Sequence, residues 1–179
     1  MYRAMKFRSL VVLAALTLIP VTQVVAQQVH NPTQAVVELF TSQGCSSCPP
    51  ADTLLIELAD RDDVLALAYH VDYWDYIGWA DTFAKSEYSN YQRAYARAWN
   101  ADSIFTPQMV VNGQDGLVGS RRGEIEQALS AAALPLAIAI QCDEEFMQAS
   151  IAPDPAFGEA TVWLVTYRSL ATVDIERGE

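Results

Sequence analysis

Cysteine is scarce in this chain: three in 179 residues. An odd and small number excludes a scaffold held together by disulfide staples. Positive charge is scarce too. Eleven Lys and Arg face 22 Asp and Glu, a formal charge of −11. Arg3, Lys6 and Arg8 supply three of those cations, and no other follows until Arg61. Without the first three, eight basic residues face 22 acidic ones, a formal charge of −14. Such a surface repels nucleic acid and anionic membrane, which excludes those partners. Long apolar runs are missing apart from Leu10 to Val21, interrupted by Thr17 and Pro20. That run falls short of the roughly 20 residues a membrane helix needs. No later segment is apolar enough to span a bilayer, and no internal repeat or low-complexity tract is present.

The three early cations, the short apolar run and the small residues Val24-Val25-Ala26 form a secretory signal pattern over residues 1–26. An uncleaved N-terminal anchor is the alternative. Either way the chain is expected to be periplasmic or secreted, where disulfides persist. The remainder is long enough for one domain with an appendage.

The rest alternates between the two periods of regular structure. Ala35 to Thr41 predicts a buried strand. Residues 48–60 predict a helix begun by Pro49-Pro50, which a first turn tolerates. Val64 to Val71 predicts a second strand, with His70 near its end. Residues 72–101 form an aromatic-rich insert in which Tyr88, Tyr91, Tyr95 and Trp99 share one helical face. Thr106-Pro107 leads into the strand Gln108 to Val111, and Asn112-Gly113 is a hairpin signal before the return strand Gly116 to Gly119. Ser120 is a plausible cap for a helix over about 121–133. After Pro135, segments 136–142, 146–151, 160–167 and 171–176 are strand-like. The first βαβ unit requires a parallel pair and the Asn-Gly turn an antiparallel one. The expected class is therefore α/β, a mixed sheet with flanking helices.

Chemistry concentrates at Cys45-Ser46-Ser47-Cys48. A strand, a Gly-containing turn and then Cys-x-x-Cys at a helix start places a thiol beside unpaired N–H groups and partial positive charge. The thiolate is stabilised there, and the thiolate is the nucleophile in disulfide exchange. Asp52 puts negative charge in the same turn and limits that effect. An inert disulfide and a structural metal half-site are the alternatives. Cys142 shares a period-two face with Leu136, Ile138 and Ile140 and is expected to be a buried small hydrophobe.

Cys45-Ser-Ser-Cys48 with Pro49, Thr106-Pro107 entering a strand, and the Asn112-Gly113 hairpin before a helix start together resemble the thioredoxin-like core. At closer range Glu38 to Asp52, His70-Val-Asp-Tyr-Trp-Asp75 and Thr106-Pro-Gln-Met-Val110 resemble a secreted thioredoxin-like family known as domain of unknown function 1223. The resemblance spans about residues 35–179. It implies a thioredoxin-like domain over 33–134, with the insert 72–101 as a helical cap. A C-terminal β extension over 135–179 follows, and members of the family run further past Arg177-Gly178-Glu179.

The resemblance also implies roles. Cys45 becomes the solvent-facing attacking thiol and Cys48 the resolving one beneath it. Glu38, seven residues before Cys45, becomes the acid that relays the resolving proton, or else points to solvent at a strand edge. Thr106 and a cis Pro107 face the sulfurs and dock substrate backbone, with Tyr73 and Trp74 close by. Ser120-Arg121-Arg122 is a candidate anion site. The implied activity is thiol–disulfide exchange on protein or small-molecule thiols and disulfides, with an unidentified redox partner and no cofactor. Two other readings stay open: a copper or zinc protein using Cys45, Cys48 and His70, and a non-catalytic binding module.

Overall fold

A computed structural model describes residues 33–175, except positions 137, 144, 152, 157 and 159. The signal segment 1–26 lies outside the described residues. The chain order is β1 (Ala35–Thr41), α1 (Pro49–Ala59), β2 (Val64–His70), a single 3-10 turn (Asp75–Ile77), α2 (Ser86–Ala98), β3 (Gln108–Val111), β4 (Gly116–Val118), α3 (Arg122–Ser130), β5 (Ile138–Cys142) and β6 (Met147–Ile151). The first four strands form one mixed sheet in the order β2-β1-β3-β4. β1 runs parallel to β2, pairing Ala35 with Val64 through to Thr41 with His70. β3 runs antiparallel to both β1 and β4. The α/β expectation is met, and the order and directions are consistent with a thioredoxin-like layout.

Alternation along β1 divides the sheet into two unlike faces. Ala35, Val37 and Leu39 point to one side. There they meet Ala51, Leu54, Leu55 and Leu58 of α1, Met109 and Val111 of β3, and Ile125 of α3. This face is aliphatic. Each fully buried Leu, Ile or Met there contributes about 1.5–3 kcal/mol. Phe40 and Val110 point to the other side, where Tyr69, Tyr73, Trp74, Tyr95 and Trp99 pack on them. That face is aromatic and is covered by α2. The helical spacing of Tyr88, Tyr91, Tyr95 and Trp99 does what period alone predicts. Tyr91 and Tyr95 lie against Phe40, and Tyr88 and Tyr91 against Tyr69.

Asn112 and Gly113 both take positive φ, 50° and 70°, which closes the two-residue turn between β3 and β4. At Gly119 a Cβ would sit 3.0 Å from Ala51, 3.1 Å from Leu39 and 3.2 Å from Pro107. This glycine lets the Pro107 loop close on the start of α1.

The C-terminal part differs from the sequence expectation. β5 and β6 pair only with each other, and every described side chain in them is exposed. Cys142 is a free, exposed thiol rather than a buried one. The strands expected over 160–167 and 171–176 are not formed among the described residues there. Period two gave the right local preference, but no second layer among the described residues buries an apolar face. None of the described helices is long and apolar enough to cross a membrane.

Candidate active site

The site grows from the end of β1. After Thr41 the chain makes two tight turns, with Cys45 N–H donating to Ser42 O (3.0 Å) and Cys48 N–H to Cys45 O (2.9 Å). Cys48 is the N-cap residue of α1, and Pro49-Pro50 follow where missing N–H groups cost nothing. The Cys48 carbonyl accepts from Ala51 N–H (2.8 Å) and Asp52 N–H (3.0 Å). Cys45 and Cys48 are joined as a disulfide, Cα–Cα 5.4 Å.

Thr106-Pro107, a cis peptide, lies beside this disulfide. The Ser47 hydroxyl bridges the two, 3.5 Å from the Cys45 sulfur and 3.5 Å from the Thr106 carbonyl it donates to. Trp74 reaches the same loop by donating its indole N–H to Thr106 Oγ1 at 2.8 Å. Tyr73 is one step further away. Its hydroxyl donates to Gln92 Oε1 (3.1 Å), and Gln92 Nε2 donates to the Phe105 carbonyl (2.7 Å) and to Gln108 (2.6 Å). Cys45, Cys48, Thr106, Pro107 and Trp74 are thus brought together, with Tyr73 tied to them through a buried amide.

Exposure corrects one expectation. Cys45 is only 1% exposed and Cys48 is fully buried, whereas an attacking Cys45 was expected to face solvent. Ser46 and Ser47 take the exposed positions instead. The insert packs down behind them: a Cβ on Gly44 would meet Trp74 and Ile77 side chains at 3.2 Å. The insert is thus a cover over the Gly44 turn that leads into Cys45.

That cover is fastened by a buried polar cluster that the sequence did not reveal. Asp81 Oδ2 accepts Gln43 N–H (2.8 Å) and bonds His70 Nδ1 (2.7 Å), while Oδ1 accepts Phe83 N–H (2.8 Å). Gln43 Oε1 accepts the Trp79 indole N–H (2.7 Å) and Thr82 N–H (3.3 Å). Gln43 therefore links the turn before Cys45 to the 79–82 stretch of the cover. Burial alone would raise the Asp81 carboxyl, but the bonds from His70, Gln43 and Phe83 hold it below the usual carboxylate range.

Of the two carboxylates of the region, Asp52 lies in the first turn of α1 as expected and Glu38 lies away from the sulfurs. Glu38 is buried, 6% exposed, but it lies on the aromatic face, opposite the one that α1 covers. Tyr91 and Tyr95 donate their hydroxyls to it at 2.9 and 2.5 Å. Burial and the neighbouring Glu38 charge push the Tyr91 phenol up to about 12 and raise Tyr95 further. Asp52 is the acid on the sulfur-bearing side. It sits one helical turn after Cys48, on the same face of α1, and accepts the Thr41 hydroxyl at 2.7 Å. Burial raises its carboxyl above the ordinary value, against opposing pulls from the Thr41 hydroxyl and His70. An acidic residue in a first helical turn is common, so the signal that would have found Asp52 is its i+4 spacing from Cys48.

The other expected sites are spoken for. Arg121 pairs with Glu124 (3.1 Å), and Arg122 with Glu57 (2.6 Å) and Glu126 (3.7 Å). Arg121, not Ser120, occupies the cap position of α3. His70 is turned to Asp81. Among the described residues no group of three His, Cys, Asp or Glu is arranged to hold a metal ion.

The comparisons agree with this picture at the level of family. A crystal structure of a structural-genomics target protein from Agrobacterium tumefaciens is similar at 39% sequence identity and a TM-score of 0.62. The match covers 66% of this chain and 56% of that one. The chain thus spans little more than half the length of that relative. The comparison with curated proteins gives no match. The family described as Protein of unknown function (DUF1223) matches residues 36–179, and the chain belongs to that family.

Proposed function

We propose that this protein is an exported thiol–disulfide oxidoreductase of the thioredoxin superfamily. Cys45 is its exchanging sulfur and Cys48 its resolving one. One observation carries the reading. The Cys45–Cys48 disulfide sits at the start of α1 with the Thr106-Pro107 loop alongside, spanned by the Ser47 hydroxyl. A disulfide between residues three apart closes too short a loop to add much stability. Its position at a helix N-terminus, by contrast, stabilises the thiolate formed when it opens.

In the reducing direction an external thiolate bonds to the Cys45 sulfur and the Cys45–Cys48 bond breaks. Cys48 leaves as a thiolate and takes a proton, for which Asp52 is the nearby acid. A second external thiolate then attacks the external sulfur of the mixed disulfide. Cys45 is released, and two external thiols have become one disulfide. The reverse sequence oxidises a dithiol. The two sulfurs carry both electrons, so no cofactor takes part. Substrates are protein or small-molecule thiols and disulfides, and a separate redox partner in the periplasmic or extracellular space resets the pair. The acidic surface argues against nucleic acid and anionic membrane as partners.

The test is to express the Cys48→Ser variant in its native compartment and separate the products without reductant. Mixed disulfides on Cys45 that a thiol reverses are the expected result. A variant that accumulates no adduct, with a wild-type pair that dithiothreitol cannot open, would overturn the assignment.

A further inference from the structure

His70 ends β2 directly beside Thr41 of β1, and both point to the face that carries α1. Thr41 holds Asp52 at 2.7 Å, which brings the Asp52 carboxylate to the His70 end of the sheet, close enough for the two charges to interact. On the other side the ring is fixed. Asp81 takes its Nδ1 at 2.7 Å, and the Phe83 ring stands edge-on to it with centroids 5.3 Å apart. The Asp81 side chain is fully buried and anchored by two backbone N–H groups, while the histidine side chain is about one-fifth exposed. A carboxylate that accepts from Nδ1 places the ring proton there, which leaves Nε2 as the basic nitrogen. The arrangement is a dyad between solvent and the acid that serves Cys48.

We propose that His70, oriented by Asp81, is the positioning residue that passes protons between solvent and Asp52, and so sets the pH dependence with which the Cys45–Cys48 bond opens. The proposal rests on the exchange reading and deepens it. When Cys48 leaves as a thiolate it takes the Asp52 proton, Asp52 takes one from His70, and His70 regains one from water. No electron moves through the dyad. The charged and titratable groups around His70 are Asp52 from α1 and Asp81 from the insert. Asp75, which accepts Asp81 N–H at 3.1 Å, adds a further negative charge. Lys85 lies with its ammonium over the Tyr88 ring, 5.2 Å from its centroid.

The experiment measures reduction of the full-length disulfide by dithiothreitol between pH 5 and 8.5, with each rate divided by the thiolate concentration. Wild-type protein should show a rate that falls as pH rises across this range. His70→Asn keeps an N–H donor for Asp81 but has no titratable nitrogen. It should abolish that limb and run about tenfold slower at pH 6. Superimposable wild-type and H70N profiles would overturn the dyad's role while leaving exchange intact. A wild-type disulfide that dithiothreitol does not reduce at any pH would overturn the exchange reading itself. Should H70N not fold, the wild type alone decides: slower reduction in deuterium oxide at pH 6 supports the relay, and equal rates overturn it.

Discussion

The two faces of the central sheet each hold one carboxylate, Glu38 buried and Asp52 half-buried, and they treat it differently. On the aromatic face Glu38 receives two tyrosine hydroxyls and has no sulfur within its layer. On the aliphatic face Asp52 receives one hydroxyl, from Thr41, and stands one helical turn from Cys48. The first arrangement satisfies a buried charge and fixes α2 on the sheet. The second leaves an acid partly satisfied, with its pKa raised by burial, one helical turn from a sulfur that takes up a proton in the exchange we propose. Position in the strand decides which carboxylate does which job: α1 covers the odd-numbered side of β1, and Glu38 is even.

The comparison breaks first at Glu38. Glu38→Ala leaves the Tyr91 and Tyr95 hydroxyls without their acceptor in a packed layer, and should cost about 3 kcal/mol in a denaturant titration. Disulfide reduction under native conditions should keep its rate and pH profile. A changed profile would return Glu38 to the proton path and remove the division between faces.

Next comes the residue that joins the faces. Trp74 packs with the aromatic cluster yet bonds Thr106 beside the sulfurs. With Cys45 only 1% exposed, reagents reach it through local opening. Trp74→Ala removes one hydrogen bond and the ring that holds the cover down. Reduction by dithiothreitol should accelerate about tenfold, equivalent to about 1.4 kcal/mol of closure. An unchanged rate in stopped-flow measurements would show that the cover is not what limits access.

Much of this was legible from local pattern. The βαβ start, the Asn-Gly turn, the Thr106-Pro107 loop and the aromatic stripe of α2 follow from spacings within a few residues, which is the range over which period and turn chemistry act. The cysteine pair announced itself the same way. What stayed hidden depends on contacts far along the chain. Asp81 meets Gln43 and His70 across 38 and 11 residues, and no local rule marks an aspartate between Ala80 and Thr82 as buried. The resemblance implies an acid near Glu38, but the parity of β1 puts Glu38 on the Phe40 side, away from α1. The tail was misread for a related reason: alternation in 160–167 reports a preference for extended backbone, and a strand also needs a partner.

Thr41 tests the aliphatic face more gently. Thr41→Val keeps the shape and removes the hydroxyl that supports the ionised Asp52. Stability should fall by about 1 kcal/mol, and the Asp52 carboxyl, followed by carbon-13 NMR, should titrate at higher pH than in the wild type. A titration that stayed put would mean that Thr41 is only a packing contact.

The smallest effect has the clearest sign. Burial raises the Asp52 carboxyl above its unfolded value of about 3.9, so between those two values the folded chain holds more protons than the unfolded one. Stability therefore falls as pH rises through that window, and above it the ionised Asp52 carries a constant cost. Asp52→Asn removes the cost while keeping an acceptor for Thr41. Its Tm relative to wild type should rise as pH climbs from about 3.5 and then level off. Asp81 is the built-in control, because its carboxyl is lowered. Its contribution is complete above the unfolded value and is lost as pH falls through the folded one. Asp81→Asn should accordingly lose ground against wild type as pH rises towards about 3.9, just below the range in which Asp52→Asn gains it. Two aspartates near one disulfide with opposite slopes would show that one is held as a charge to fix the cover and the other is kept ready to give its proton away. Parallel slopes would make both of them ordinary parts of the core.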